Sequence, residues 1–270
     1  MTTELSIYQV DAFTDAVFGG NPAAVVPLRD WLPDALLQQV AAENNLSETA
    51  FLVPERDVYH LRWFTPKIEV DLCGHATLAS AQVVFEMLHP GRRNVTFLTR
   101  RAGPLTVNLT GDRLTMDFPA RPAERVAPPA GLAAALGAEP VEVWAAGKLM
   151  AVFETEGAVR ALEPDFRKVA ALDALGVIAT APGNDGIDFV SRYFAPHAGI
   201  DEDPVTGSAH CVLVPYWSRR LGKTRLDARQ ISARGGRLWC EDRGERVSLA
   251  GRAVLYLEGR IFVPSHHGDV

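Results

Sequence analysis

The stretch RWFTPKIEVD at 62–71 returns as RYFAPHAGID at 192–201, with Arg, Phe, Pro and Asp matched at one constant offset. In that register Trp63 faces Tyr193 and Val70 faces Ile200, so residue character agrees where identity does not. Three inserted residues after Asp201 then bring Gly74-His75-Ala76 onto Gly207-Ser208-Ala209. A strand, a proline turn, an aspartate, a glycine and an apolar run, in that order twice, imply a duplicated unit. Such a chain must close two similar apolar cores.

The stretch FPARPAERVAPPAG at 118–131 holds four prolines near the middle of the chain and is expected to be an extended connector outside any sheet or helix. It divides the chain into lobes at 1–119 and 120–270, with the C-terminal strand free to return to the first lobe. Alternating or β-branched runs predict strands at SIYQV, TAFLV, YHLRWF and RLTMDF, and then at VEVWA, MAVFET, DFVSRYF and AVLYLE. Amphipathic helices are expected over 33–43 and 165–175. GHATLASAQVVFEML and GSAHCVLVPYW lack a wide polar stripe, and a helix that is apolar all round has to be enclosed. A curved sheet wrapped about each helix encloses it. The fold class is α+β: two pseudo-symmetric lobes, each a rolled, mostly antiparallel sheet around a central helix.

Composition narrows the function. At 270 residues and 47% hydrophobic the chain can fill two cores, and a net charge of -6 argues against a phosphate-backbone binder. Nucleic acid is not an expected partner. Cys73, Cys211 and Cys240 show no CxxC or Cys/His metal spacing, so reduced thiols and a cytoplasmic location are expected, with no structural disulfide and no metal. The start, MTTELSIYQVDAF, lacks a secretion signal, and no apolar run approaches the ~20 residues that cross a bilayer. No phosphate loop, dinucleotide fingerprint, HExxH or GxSxG is present. GGNP at 19–22 and RGG at 234–236 are expected to form tight turns, and His266-His267 a tail.

A buried helix that starts at Gly74 or Gly207 leaves its first N–H groups to be satisfied. If both helices begin at the junction of the lobes, their amides and positive dipole ends make a seat for a carboxylate or phosphate, with Thr206, Ser208 and His75 adding side-chain donors. Helix capping by Asp71, Asp203 or Thr206 is the alternative.

NNLSETAFLV, RWFTP with VDLCGHATLA, MDFPA, RYFAP with DEDPVTGSAH, YWSRRLGK and ISARGGRL, in that order, resemble the PhzF-like family of phenazine-biosynthesis isomerases over nearly the whole chain. The resemblance implies a diaminopimelate epimerase-like fold, a homodimer, and a shift of a double bond in a small carboxylate such as trans-2,3-dihydro-3-hydroxyanthranilate without cofactor or metal. Glu48 matches the family's proton-transferring glutamate; at the edge of a strand, partial burial would tune its pKa, whereas without the resemblance it reads as a surface acid. His75 matches the motif histidine and is expected to be neutral at a helix N-terminus, orienting substrate or simply capping its helix. Asp203 matches the aspartate before Pro-x-Thr-Gly-Ser and is expected to position substrate, while Asp201 and Glu202 are solvated or capping. Gly207 and Ser208 match the carboxylate-binding position, Gly74 and Thr206 flank the helix starts, and Asn21 lies in the GGNP wall.

Cys73 raises a rival chemistry, because two-base epimerases of this fold use one thiol from each lobe. Position 203 is Asp, Cys211 lies a turn inside its helix and Cys240 falls in a strand, so no second thiol is matched. One base acting on one face suits a double-bond shift. Two other classes stay open: a racemase using Cys73, in which the thiol is otherwise a plain buried side chain, and a binding protein on the same fold.

Overall fold

The computed structural model describes residues 2–265, so the His266-His267 tail lies outside the described residues. The chain divides into two compact units, residues 1–116 with 251–270, and residues 117–250.

Unit 1 runs β1 (Thr2–Ala12), β2 (Asn21–Pro27), α1 (Asp34–Asn44), β3 (Glu48–Glu55), β4 (Val58–Phe64), β5 (Glu69–Val70), α2 (Gly74–Val83), β6 (Asn94–Thr99), β7 (Pro104–Thr110) and β8 (Arg113–Pro119), and takes back the last strand, Ala253–Pro264. Its sheet is mostly antiparallel. β2 pairs with β3 and β4 with β6 in parallel, while β1/β2, β3/β4, β4/β5, β6/β7 and β7/β8 are antiparallel, as is β1 with the last strand.

Alternation along the strands gives the sheet two apolar faces. Val26, Phe51, Phe64 and Val263 close on Leu37 and Ala41 of α1. The other face carries α2, which packs against β1, β2, β3 and the last strand and is buried at His75, Ala76, Thr77, Leu78, Ala79, Ser80, Ala81 and Val83. Its enclosure is why the sequence shows no polar stripe. The turn before β2 depends on glycine: Gly20 has φ +60°, and a Cβ there would stand 2.1 Å from the Ala12 carbonyl oxygen.

Unit 2 runs β9 (Glu124–Arg125), α3 (Leu132–Leu136), β10 (Glu142–Ala145), β11 (Leu149–Val152), α4 (Glu156–Arg160), α5 (Phe166–Ala170), β12 (Val177–Pro182), β13 (Phe189–Ala195), β14 (Ile200–Glu202), α6 (Gly207–Leu221), β15 (Arg225–Gln230), β16 (Gly236–Asp242) and β17 (Arg246–Gly251). From β10 onward the pairing sequence is antiparallel, parallel, antiparallel, parallel, antiparallel and antiparallel, with β14 as a short side strand on β13. Unit 1 follows the same sequence from β1. The duplication is therefore structural as well as textual. Helices α3, α4 and α5 cover one sheet face through Leu136, Val159 and Val169, and α6 is buried from Ala209 to Ser218.

Four expectations from sequence are corrected. The connector is not wholly outside the sheet, since Glu124 and Arg125 pair with Ala145 and Trp144. The helix expected over 165–175 stops at Ala170: Asp165 caps it by accepting from the Arg167 and Lys168 amides, but the Leu175 amide bonds the Gly147 carbonyl and draws the chain into β12. The inserted residues lie earlier than the identities suggest. Arg62 pairs bidentately with Glu69 at 2.7 and 2.8 Å, and Arg192 pairs with Glu202 at 2.8 Å through both its Nε and its second guanidinium nitrogen. Glu69 sits opposite Phe64, and Glu202 opposite Phe194. The equivalence is Glu69 with Glu202, so the extra residues form the turn at Pro196–Ala198 and Asp71 aligns with Pro204, not Asp201. Nor is Glu202 a solvated acid, because that guanidinium holds it.

Trp217 of α6 is fully buried, stacks on Phe189 with ring centroids 5.7 Å apart, and donates Nε1–H to the Thr180 hydroxyl at 3.0 Å. Trp217→Ala is expected to lower unfolding free energy by about 3–5 kcal/mol, read from the urea midpoint at unchanged m-value.

Candidate active site

In unit 1 four side chains converge where three elements begin. Glu48 opens β3 on the face opposite Phe51, so it points toward α2, with its side chain 13% exposed. His75 is in the first turn of α2, Cys73 is that helix's N-cap residue, and Asn21 opens β2. The His75 Nε2 lies 3.0 Å from a Glu48 carboxylate oxygen, a close contact whose N–H direction falls short of a well-aligned hydrogen bond. Its Nδ1 lies 3.2 Å from the Asn21 side-chain nitrogen and 3.5 Å from the Cys73 sulfur. The Nε2 edge of the ring thus faces Glu48, and its Nδ1 edge faces Asn21 and Cys73.

Electrostatics alter one expectation. Burial opposes a charge on His75, but the Glu48 carboxylate facing it outweighs burial and holds the pKa well above the ordinary imidazole value. The helix end on which a neutral ring was expected carries about half a charge, less than a full carboxylate at contact distance. Cys73 moves the other way from a reactive thiol. Burial, then the nearby Glu48 charge, push it up to about 11. The Glu48, Cys73 and His75 donor atoms lie within 4.8 Å of one another, a carboxylate, thiol and imidazole set that a soft divalent ion accepts.

In unit 2 the second helix start is built differently. The Thr206 hydroxyl donates to the Asp203 carboxylate, while the Thr206 amide donates to Gln230 Oε1 at 2.8 Å. Gln230 Nε2 donates to the Asp203 carbonyl at 2.7 Å, and the Asp203 amide bonds the Tyr193 carbonyl at 3.0 Å. Thr206, expected to offer its hydroxyl to an anion, spends it on Asp203. Neither Cys73 nor Thr206 makes a side-chain cap, so both helix starts keep their first amides free of that partner. Gly207 is buried and Ser208 exposed. Gln230 was missed in the sequence because nothing in RLDARQ marks the last residue of a strand as a brace.

The two units can be compared position by position through the strand registers. Thr49 pairs with Phe64 as Val177 pairs with Phe194, so Glu48 is equivalent to Gly176. Ala24 pairs with Thr49 as Leu149 pairs with Val177, which sets Asn21 against Ala146. The helix starts set Cys73 against Thr206 and His75 against Ser208. A side chain at Gly176 is sterically excluded, since a Cβ would lie 2.5 Å from the Tyr193 hydroxyl oxygen and 2.7 Å from the Phe194 carbonyl oxygen. The acid, thiol and imidazole of unit 1 have no titratable counterpart in unit 2.

Strands of matching, mostly antiparallel order in each unit, packed on a buried helix, define a duplicated α+β fold. The chain belongs to the PhzC-PhzF family, described as phenazine biosynthesis-like proteins, whose model matches residues 10–259. It is 54% identical over 260 residues to an uncharacterized isomerase of Pseudomonas aeruginosa, covering 96% of this chain and 98% of that one. A crystal structure of a PhzF-family phenazine biosynthesis protein from Enterococcus faecalis superposes with a TM-score of 0.94 at 46% identity, covering 97% of this chain and all of the other. A predicted epimerase from P. aeruginosa, at 23% identity and a TM-score of 0.71 over 95% of this chain and 99% of its own, shares the fold.

Proposed function

We propose that the chain catalyses a cofactor-independent proton and double-bond shift in a small unsaturated or amino carboxylate, with Glu48 as the single general acid/base. The observation that carries this reading is the one-sided chemistry: Glu48, His75 and Cys73 stand in unit 1, and Gly176, Ser208 and Thr206 at the equivalent positions of unit 2. The Glu48 carboxylate takes a proton from an activated carbon, and the C–H electrons enter the conjugated system as its double bond moves. The carboxylic acid then returns the proton to another carbon on the same face. One C–H bond breaks, one forms, and no electron leaves the substrate. His75 holds Glu48 in position through the 3.0 Å contact and steadies its charge.

Asp203, Gly74, Thr206, Gly207 and Ser208 are kept as substrate-contacting residues, and a cytoplasmic homodimer as the assembly, on the strength of the family resemblance. Among the described residues no helix is long and apolar enough to cross a membrane. Incubation with a panel of small unsaturated and amino carboxylates in heavy water tests the reading. Incorporation of deuterium at carbon is the expected result, and no exchange with any member would remove it.

A racemase using Cys73 is the second reading, favoured by the thiol's 3.5 Å approach to His75. With a pKa of about 11, roughly one thiol in three thousand is ionised at pH 7.5, a large handicap for a base. Cys73→Ala is expected to keep kcat within about fivefold of wild type. In the folded protein, iodoacetamide should label Cys73 at least about a hundredfold more slowly than free cysteine, with the rate rising as pH approaches 11. Loss of activity in Cys73→Ala with activity retained in Glu48→Gln would select the racemase.

A further inference from the structure

The proline-rich connector and the helix motif YWSRRLGK at 216–223, neither of which the proton transfer uses, meet beside a cavity in unit 2. Pro215 lies inside α6 and has no N–H, so it gives no helical bond to the Cys211 carbonyl four residues earlier. That carbonyl accepts the Arg121 amide at 2.9 Å instead, which ties the connector to the helix. Four residues on, Arg125 pairs with Trp144 across the β9/β10 ladder. The connector, β10 and α6 thereby border a cavity of about 260 Å³.

Its aromatic walls are held in place by one acid. The Glu142 carboxylate accepts from Trp144 Nε1 at 2.9 Å, from the Tyr216 hydroxyl at 3.3 Å and from an Arg220 guanidinium nitrogen at 2.9 Å. The same Arg220 nitrogen donates to the Tyr216 oxygen at 2.7 Å. Trp144 and Tyr216 stand edge to face with ring centroids 5.3 Å apart, and neither can turn without breaking a hydrogen bond to Glu142. Rings fixed in this way leave little side-chain ordering to be done at binding. Charge gives the ligand its sign. Glu142 is spent on its three donors, whereas Arg125 and Arg219, exposed residues lining the cavity, pair with no carboxylate among the described residues. Three guanidiniums against one carboxylate leave an excess of two positive charges.

The internal repeat isolates the arrangement. Strand register and helix starts set Glu142, Trp144, Tyr216, Arg219 and Arg220 against Ser6, Tyr8, Val83, Glu86 and Met87. No arginine stands at those five positions of unit 1, and the acid that braces the rings is replaced by serine. The last strand also pairs β1 from Thr2 to Ala12, whereas β9 pairs only two residues of β10.

We infer that this cavity is a second small-molecule site, which takes a single-ring aromatic anion: the two rings and Pro215 receive its flat body, and Arg125 and Arg219 its charge. Ligand pockets commonly span about 300–1,000 Å³, so a cavity of this size limits the occupant to one ring. All of its residues belong to unit 2, and it does not depend on the proton-transfer reading.

Titration of the full-length protein with benzoate, followed at the Trp144 indole N–H by 1H–15N NMR, tests it; Trp144→Phe identifies that signal among the five tryptophans. A saturable shift with a Kd at or below about 1 mM is expected. Benzamide, which lacks the charge, and cyclohexanecarboxylate, which lacks the flat ring, should each bind at least about fivefold more weakly. Arg125→Gln and Arg219→Gln should each weaken benzoate about three- to tenfold at an unchanged urea midpoint, because both side chains are exposed and hold no described ion pair. Glu48→Gln should bind as wild type does, so failure here is separable from failure of the catalytic reading. An unmoved Trp144 signal at about 10 mM benzoate would overturn the inference. So would wild-type affinity in both arginine variants, or equal affinity for benzoate and the two control compounds. A Trp144 signal that moves with protein concentration and not with benzoate would also overturn it, by making the cavity a contact between copies of the chain.

Discussion

Glu48→Gln is expected to abolish deuterium incorporation from solvent and to reduce kcat by about a thousandfold or more, whichever small carboxylate the wild type exchanges. Glutamine keeps the shape of the side chain and its place at the start of β3, so circular dichroism and the urea midpoint should change little. The substitution also has a spectroscopic readout. The Glu48 carboxylate raises the His75 pKa, so its neutralisation should bring the His75 titration down, followed by NMR of the ring Cε1–H. The sign also follows for stability. With its pKa raised by folding, His75 contributes stability that is complete below about 6.5 and is lost as pH rises through the higher native value. Retained exchange in Glu48→Gln would assign the proton transfer elsewhere.

Acid should unfold the protein through a different histidine. His210 is wholly buried in α6, its Nδ1–H donates to the Thr206 carbonyl at 2.8 Å, and its Nε2 has no partner among the described residues. Burial lowers its pKa to about 4, with the Thr206 hydrogen bond opposing only in part. A histidine depressed by folding contributes stability that is full above the unfolded value of about 6.5 and falls as pH is lowered toward 4, below which no further loss arises from this group. Two and a half pH units correspond to about 3 kcal/mol. Urea titrations at pH 7 and at pH 4 should show that loss in wild type, and His210→Phe should flatten it. An equal slope in the variant would place the acid sensitivity elsewhere. The two histidines thus tilt stability in opposite directions with pH, because one faces a carboxylate and the other faces a carbonyl with nothing beyond it.

Much of this architecture was legible in the residues. The repeated RWF and RYF strands, the proline turns and the two helices without a polar stripe point to a duplicated α+β chain, because enclosure leaves a mark on composition along the whole of a helix. The place of the insertion was not legible. Asp71 and Asp201 match by identity, while the pairing that fixes the register joins Arg62 to Glu69 and Arg192 to Glu202, a contact made only once a strand has turned back on itself. The short α5 escaped for a similar reason, since the bond from the Leu175 amide to Gly147 is long in sequence and leaves no local sign.

At the site, Glu48 stood out through the resemblance and not through its own pattern, for an acid before a strand is commonplace. Its meeting with His75, Cys73 and Asn21 joins three separate stretches of chain, and no periodicity in one stretch reports on another. Gly176 reads as an ordinary glycine after a loop until the Tyr193 hydroxyl is seen to occupy the space of its missing side chain. Glu142 in VEVWA resembles any acid in a strand, and only the three donors that meet on it set it apart.

Two copies within one polypeptide need not age alike. In an assembly of identical halves every substitution is written twice, so an acid gained in one half is gained in its twin and the pair remains even-handed. Covalent linkage releases that bond of symmetry: each copy can keep its strands and buried helix while one carries Glu48 and His75 and the other Gly176 and Ser208 at the equivalent positions. Specialisation of this kind lets one ancestral scaffold give rise to reactions that treat the two faces of a molecule differently.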